Sequence, residues 1–247
     1  MMDVTGWEWA VAVLGAVILG ISKTGLPGVG ILAIPMFAAI MPAKASTGIV
    51  LPMLVVADLF AVAVYRRHAE WSHLWRLFPW TIAGVVAGYF LMGVIDDRQL
   101  RPVIGAIVLT MLALNHWRQA RPGSEPHIPT HMAFGATIGL LAGLLTMLAN
   151  AAGPIMIIYL LAMRLPKVEF ISTGAWYFFF MNLFKIPFSY NLGLINAESL
   201  RFNLVLVPAI VVGALLGFKL LRWIPEKPFA LAMQILAAIG AVRLLLP

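Results

Sequence analysis

Ten apolar runs, arranged as two sets of five, limit what this chain can fold into. The first set lies near 7–22, 27–41, 46–65, 76–95 and 102–118; the second lies near 131–148, 153–163, 168–190, 201–221 and 229–246. A helix that crosses the hydrocarbon core of a bilayer needs about 20 apolar residues, and in each set a short pair precedes three fuller spans. Hydrophobic residues make up 62% of the 247 and charged residues 11%, more apolar surface than a soluble core of this size can bury. The expected fold class is an all-α polytopic membrane protein.

The opening residues carry Asp3 and Glu8 with no basic stretch and no small-residue cleavage site. They do not resemble a secretory leader, so the mature chain is expected to begin at Met1. Cysteine is absent, which excludes disulfide frameworks, thiolate metal sites and cysteine nucleophiles. A net charge of +7 would suggest nucleic acid as a partner of a soluble chain. Between membrane spans it points to loops facing anionic lipid and to an anionic substrate, with no nucleic acid involved.

The two sets share residues as well as lengths. Pro42 and Pro166 lie 124 positions apart, Ser46-Thr47-Gly48 and Ser172-Thr173-Gly174 lie 126 apart, and the pairs Gly84/Gly88 and Gly213/Gly217 lie 129 apart. The chain reads as a duplicated unit: residues 1–120 form a first transmembrane repeat, 121–130 a cytoplasmic linker and 131–247 a second repeat. Each unit holds a short broken or re-entrant helix pair followed by three transmembrane helices. Whether the short pair spans twice or folds back, each unit crosses an odd number of times, so the second copy is expected to be inverted. Inverted repeats with interrupted segments in matching positions are the pattern of many secondary transporters, whose substrate site lies between the repeats near the midplane.

Basic residues predict the orientation. One side collects Arg66, Arg67, Arg76, Arg118, Arg121, Arg164, Lys167, Lys219, Arg222 and Lys227, while the other has Lys44, Arg98, Arg101, Arg201 and Arg243. The richer side should be cytoplasmic, which places both termini outside.

The stretch from Gly20 to Pro35 sets Lys23 and four glycines between two short apolar runs. Irregular, glycine-rich backbone survives at membrane depth only where protein or a wet cavity surrounds it, so the stretch reads as a site. Its sequence, Gly20-x-Ser22-Lys23-Thr24-Gly25-Leu26-Pro27-Gly28-Val29-Gly30 followed by Pro35, resembles the glycine-rich signature of the TauE/SafE sulfite exporter family, as does the later Asn150-Ala-Ala-Gly-Pro154. The likeness covers nearly the whole chain. It implies a secondary carrier in the bacterial inner membrane that exports sulfite, organosulfonates or related small sulfur oxyanions, driven by ion gradients or by the anion gradient itself. It implies no cofactor.

The residues themselves support an anion site. Pro27 suits a first helical turn, where its missing donor costs nothing, so a short helix is predicted to begin near Gly28 with its amides facing the break. Such a start attracts anions through free N–H groups and the positive end of the dipole. Asn150 to Pro154 places a comparable start in the second repeat, and two opposed starts would converge on one anion. The candidate substrate-binding residues are therefore Ser22, Lys23, Thr24, Gly25, Gly28 and Gly30, with Asn150 and Gly153 opposite. An alternative for Lys23 is that it ends a helix and snorkels to the interface.

Asp58 is the only acid well inside a predicted span and Lys185 the other intramembrane lysine; they occupy nearly equivalent positions in the two repeats. They are candidate coupling or gating residues, with protons as the coupling ion, or else a fixed ion pair bracing the repeat interface. Ser46-Thr47 and Ser172-Thr173 read as helix caps, and the glycine pairs as faces for close helix contact. The run Trp176 to Phe180 faces lipid or forms a gate. His127 and His131 flank Pro129, which argues against a metal site on one helical face. An intramembrane enzyme is disfavoured, because the chain has no HExxH, no Gly-x-Ser-x-Gly and a single intramembrane aspartate. Two alternatives to a sulfur-anion carrier stay open: a carrier of another small anion such as a carboxylate, and a non-transporting membrane subunit. The oligomeric state is open.

Overall fold

Glu8 turns back to accept the Thr5 backbone N–H at 2.7 Å, and from this cap the first helix, α1 (Gly6–Thr24), rises. The computed structural model describes residues 5–25, 29–119, 132–163 and 165–223, with single positions 235, 238, 239, 242 and 245. Among these residues every regular element is helical. The expected last span near 229–246 falls outside the described residues except at those single positions, and the linker 121–130 lies outside them entirely.

A 3₁₀ turn, Val29–Leu32, leads into α2 (Ala33–Ile40). This leg folds back on α1, with Gly30 beside Ser22 and Gly15 beside Phe37. Next come α3 (Ala43–Tyr65), α4 (Trp71–Val94) and α5 (Asp97–Gln119). The second half repeats the order with α6 (Met132–Ala149), α7 (Gly153–Ala162), α8 (Lys167–Asn191) and α9 (Ala197–Trp223). Here too the short leg returns along its partner: the rings of Phe134, early in α6, and Tyr159, late in α7, stack 6.4 Å apart. Helices α1, α3, α4 and the Ala197–Lys219 part of α9 are long and apolar enough to cross a membrane.

Pro42 and Pro166 precede α3 and α8 in the same extended conformation, φ −53° with ψ 142° and 150°. Proline has no N–H to carry an earlier helix onward, so each proline sets a helix start. This displaces the expected caps. Ser46 and Thr47 lie inside α3 and bond back to the Ala43 carbonyl at 2.8 and 3.1 Å. In α8, Ser172 Oγ donates to the Tyr65 carbonyl and Thr173 Oγ1 accepts the Glu70 N–H at 2.9 Å. These two side chains fasten the loop between α3 and α4 to α8.

The most extensive helix pairings are α4 with α6 and α1 with α9, followed by α3 with α8 at the centre. Glycine makes the first two possible. A Cβ on Gly20 would collide with the backbone of Ile210, Gly213 and Ala214; a Cβ on Gly143 would collide with that of Thr81, Gly84 and Val85. The two contact sets are in register, since Gly20 and Gly143 are 123 positions apart and each of the three α9 residues stands 129 after its α4 counterpart. The reciprocal contacts, Gly213 on Val17 and Gly84 on Leu140, keep the same spacings. Pro79 within α4 and Pro208 within α9 are also 129 apart. The same helix interface thus occurs twice.

Candidate functional site

Both helix breaks open onto one cavity. Helix α1 stops at Thr24 and regular structure resumes at Val29. Helix α6 stops at Ala149, Asn150 turns the chain with φ 53°, and α7 begins at Gly153. Asparagine tolerates the left-handed conformation better than most residues, and here its side chain bonds to Lys185 and to the Thr47 carbonyl. Gly30 and Gly153 line the same cavity of about 110 Å³, several times the space one water needs.

Of the candidate residues, Ser22, Lys23, Gly30, Asp58, Asn150 and Gly153 line this cavity. Gly28 lies outside the described residues, as do Pro27, His127 and His131. Thr24 and Gly25 turn the other way. Thr24 Oγ1 donates to the Ala214 carbonyl at 2.7 Å and Gly25 packs on Gly217, so both belong to the α1/α9 interface. Lys185 stands one layer behind the cavity wall, 1% exposed.

The charged groups sort into two clusters. In the first, Lys23 Nζ lies 2.8 Å from Asp58 Oδ1 and 4.1 Å above the centre of the Phe178 ring. Asn182 Nδ2 donates to Asp58 Oδ2 at 2.6 Å, which anchors the carboxylate, itself 0% exposed, between α3 and α8. In the second, Lys185 Nζ donates to the Thr146 carbonyl at 2.8 Å, to Thr146 Oγ1 at 2.9 Å and to Asn150 Oδ1 at 2.6 Å. Asn150 Nδ2 then donates to the Thr47 carbonyl at 3.0 Å, tying the second break to α3.

Asp58 therefore pairs with Lys23, whereas the equivalence of Asp58 and Lys185 had suggested a pair between those two. The reason is local. Each residue sits midway along the third helix of its half and faces the end of the first helix of that half, where Lys23 and Thr146 stand 123 positions apart. Asp58 meets a cation there, and Lys185 meets a hydroxyl and a carbonyl that also accepts the Asn150 N–H.

Thr146, Asn182 and Phe178 were not singled out as site residues from the sequence. Asn182 carried a signal, an amide three residues before Lys185 in an otherwise apolar helix; a lone threonine carries none. The run Trp176 to Phe180 divides in the structure. Tyr177 is buried against Phe78, Phe178 faces the cavity, and Phe180 is on the outer surface.

The rest of the cavity wall is apolar, with Ile31, Ile34, Leu54, Ile157, Leu160 and Phe170 among its residues. Fixed positive charge, two helix starts and a hydrocarbon wall can hold an amphipathic anion; they supply no nucleophile with an adjacent base. The family model described as Sulfite exporter TauE/SafE matches residues 11–244. The chain belongs to this family. As a TauE/SafE protein it is a multi-pass membrane transporter and not an enzyme, and its cavity lies within the matched region. A curated relative, the probable inner membrane transporter protein TsaS of Comamonas testosteroni, is 28% identical over 204 residues, which cover 80% of this chain and 81% of the relative. No solved structure matches.

Proposed function

We propose that this TauE/SafE protein is a secondary carrier of a small sulfur-containing oxyanion in an inner membrane, and that the anion sits between the two helix breaks. The observation that carries this reading is the shared cavity of Gly30, Gly153 and Lys23. The 3₁₀ turn that carries Gly30 and leads into α2, and the start of α7 at Gly153, would offer N–H groups and positive dipole ends to one oxyanion. Ser22 and Asn150 supply neutral polar groups, and Lys23 supplies full charge. Thr24 and Gly25 contribute through packing, by holding α1 against α9.

The apolar wall favours an organosulfonate with a compact hydrocarbon part over inorganic sulfite, because sulfite has nothing to place against Ile157, Leu160 and Phe170. Lys23 is already paired with Asp58, so an arriving anion competes with that carboxylate. Protonation of Asp58 removes the competitor, which links anion binding to proton binding.

The duplicated interface supports an inverted repeat. On this reading α1 with α9, and α4 with α6, are two rigid arms that rock about the central α3/α8 contact and open the cavity to one side at a time. Both termini lie outside, as the bias of basic residues indicates, and the family's description carries export as the direction.

The test is flux in proteoliposomes, comparing a short organosulfonate, sulfite and a carboxylate, with and without an imposed pH gradient. Saturable flux of the organosulfonate, accelerated by the gradient, is the expected result. Flux confined to the carboxylate, or none from folded protein, contradicts the assignment.

A further inference from the structure

The three ionisable side chains around the cavity do not balance. Lys23 is neutralised by Asp58, whose second oxygen is occupied by Asn182. Lys185 donates three hydrogen bonds, all to neutral oxygens. Three hydrogen bonds to neutral oxygens suit an ammonium, which has three hydrogens to give, and among the described residues no carboxylate is in ion-pair contact with it. A buried cation without a counter-ion is costly at membrane depth, and the residues separating Lys185 from the cavity are its own partners Thr146 and Asn150, both of which line it.

We propose that the cavity selects its anion by charge: while Asp58 is ionised, Lys23, Asp58 and Lys185, taken as an ammonium, sum to one positive charge, and a singly charged substrate completes the balance. Lys185 is a specificity-determining residue that acts from behind the wall, through Thr146 and Asn150, without touching the anion. Lys23 contacts the anion, but Asp58 already cancels its charge. This rests on the anion occupying the cavity as proposed above. Coulomb energy in a poorly screened interior falls slowly enough with distance for a charge one side-chain layer away to count.

The experiment uses two probes of similar shape and different charge, methanesulfonate and sulfate, titrated calorimetrically into the full-length protein in detergent. The wild type is expected to bind methanesulfonate at least about tenfold more tightly than sulfate. Asp58→Asn raises the net charge by one and should shift the ratio toward sulfate by about tenfold, while Lys185→Gln should weaken methanesulfonate by a similar factor. Sulfate bound as tightly as methanesulfonate in the wild type, or an unchanged ratio in Asp58→Asn, overturns the charge count. Failure of folded wild type to bind either anion overturns the cavity assignment and this inference together, whereas binding without charge preference overturns this inference alone. If Lys185→Gln does not fold, the wild-type ratio and the Asp58→Asn variant still decide.

Discussion

Lys23 and Asp58 meet with Nζ 2.8 Å from Oδ1, at the level where α1 ends and the Asp58 carboxylate of α3 is fully buried. The pair joins the first helix break to the core, and it leaves no unpaired lysine among the described residues lining the cavity. A carrier built this way has to exchange one negative partner for another at the same ammonium.

Removing Lys23 therefore has two separable effects. Lys23→Gln leaves Asp58 buried without its cation, which costs about 3–5 kcal/mol. Lys23→Gln combined with Asp58→Asn is expected to regain most of that stability while remaining inactive. Thermal unfolding in detergent reads the first effect and liposome flux the second. Full flux in the double variant would remove Lys23 from the binding site.

The carboxylate predicts a pH dependence. As pH falls, a proton on Asp58 cancels its charge and releases Lys23, so anion affinity and flux should rise toward acid. In Asp58→Asn the competitor is permanently absent, so affinity should be high and flat with pH. Flux measured across a pH series for both proteins checks this; a parallel profile in the variant would make Asp58 a structural brace.

The repeated glycine interface predicts matched losses in the two halves. Gly20→Ala and Gly143→Ala each drive a Cβ into a neighbouring helix backbone and should each cost about 1–3 kcal/mol. Gly135 has open space around its Cβ position, and Gly135→Ala is expected to be neutral or to gain up to about 1 kcal/mol from helix propensity. Unfolding midpoints of the three variants give the comparison. A large loss at only one of Gly20 and Gly143 would mean that the two interfaces carry unequal load.

Asn150 combines an unusual backbone with two side-chain partners. Asn150→Gly keeps φ at 53° accessible but loses the bonds to Lys185 and Thr47, while Asn150→Ala loses the bonds and adds about 1–2 kcal/mol of left-handed strain. Alanine should therefore be the less stable variant, and both should lose flux. Equal stability of the two would show that the turn relaxes when its side chain is removed.

The helices of this chain were legible because membrane spans impose length and hydropathy directly on sequence: the described helices fall on the predicted runs. The site was legible in part. Gly30, Gly153 and Lys23 announced themselves as polar or helix-breaking residues within apolar runs, and all three face the cavity. Thr24 and Gly25 belong to the same motif but point to α9, because residues adjacent in a helix face different neighbours and periodicity alone does not say which neighbour will be the cavity. The pairing of Lys23 with Asp58 was hidden for a different reason. Equivalent positions in two repeats suggested Asp58 with Lys185, yet each of these packs against the first helix of its own half, a fact of tertiary geometry that spacing does not carry.

The position of the transported anion between the two breaks is tested most directly by anomalous X-ray diffraction from crystals soaked in bromomethanesulfonate. The expected result is a bromine peak inside the cavity against the apolar wall of Ile157 and Leu160, with the sulfonate directed at Gly30, Gly153 and Lys23. A peak elsewhere, in crystals of protein that transports the same anion in liposomes, would contradict the account.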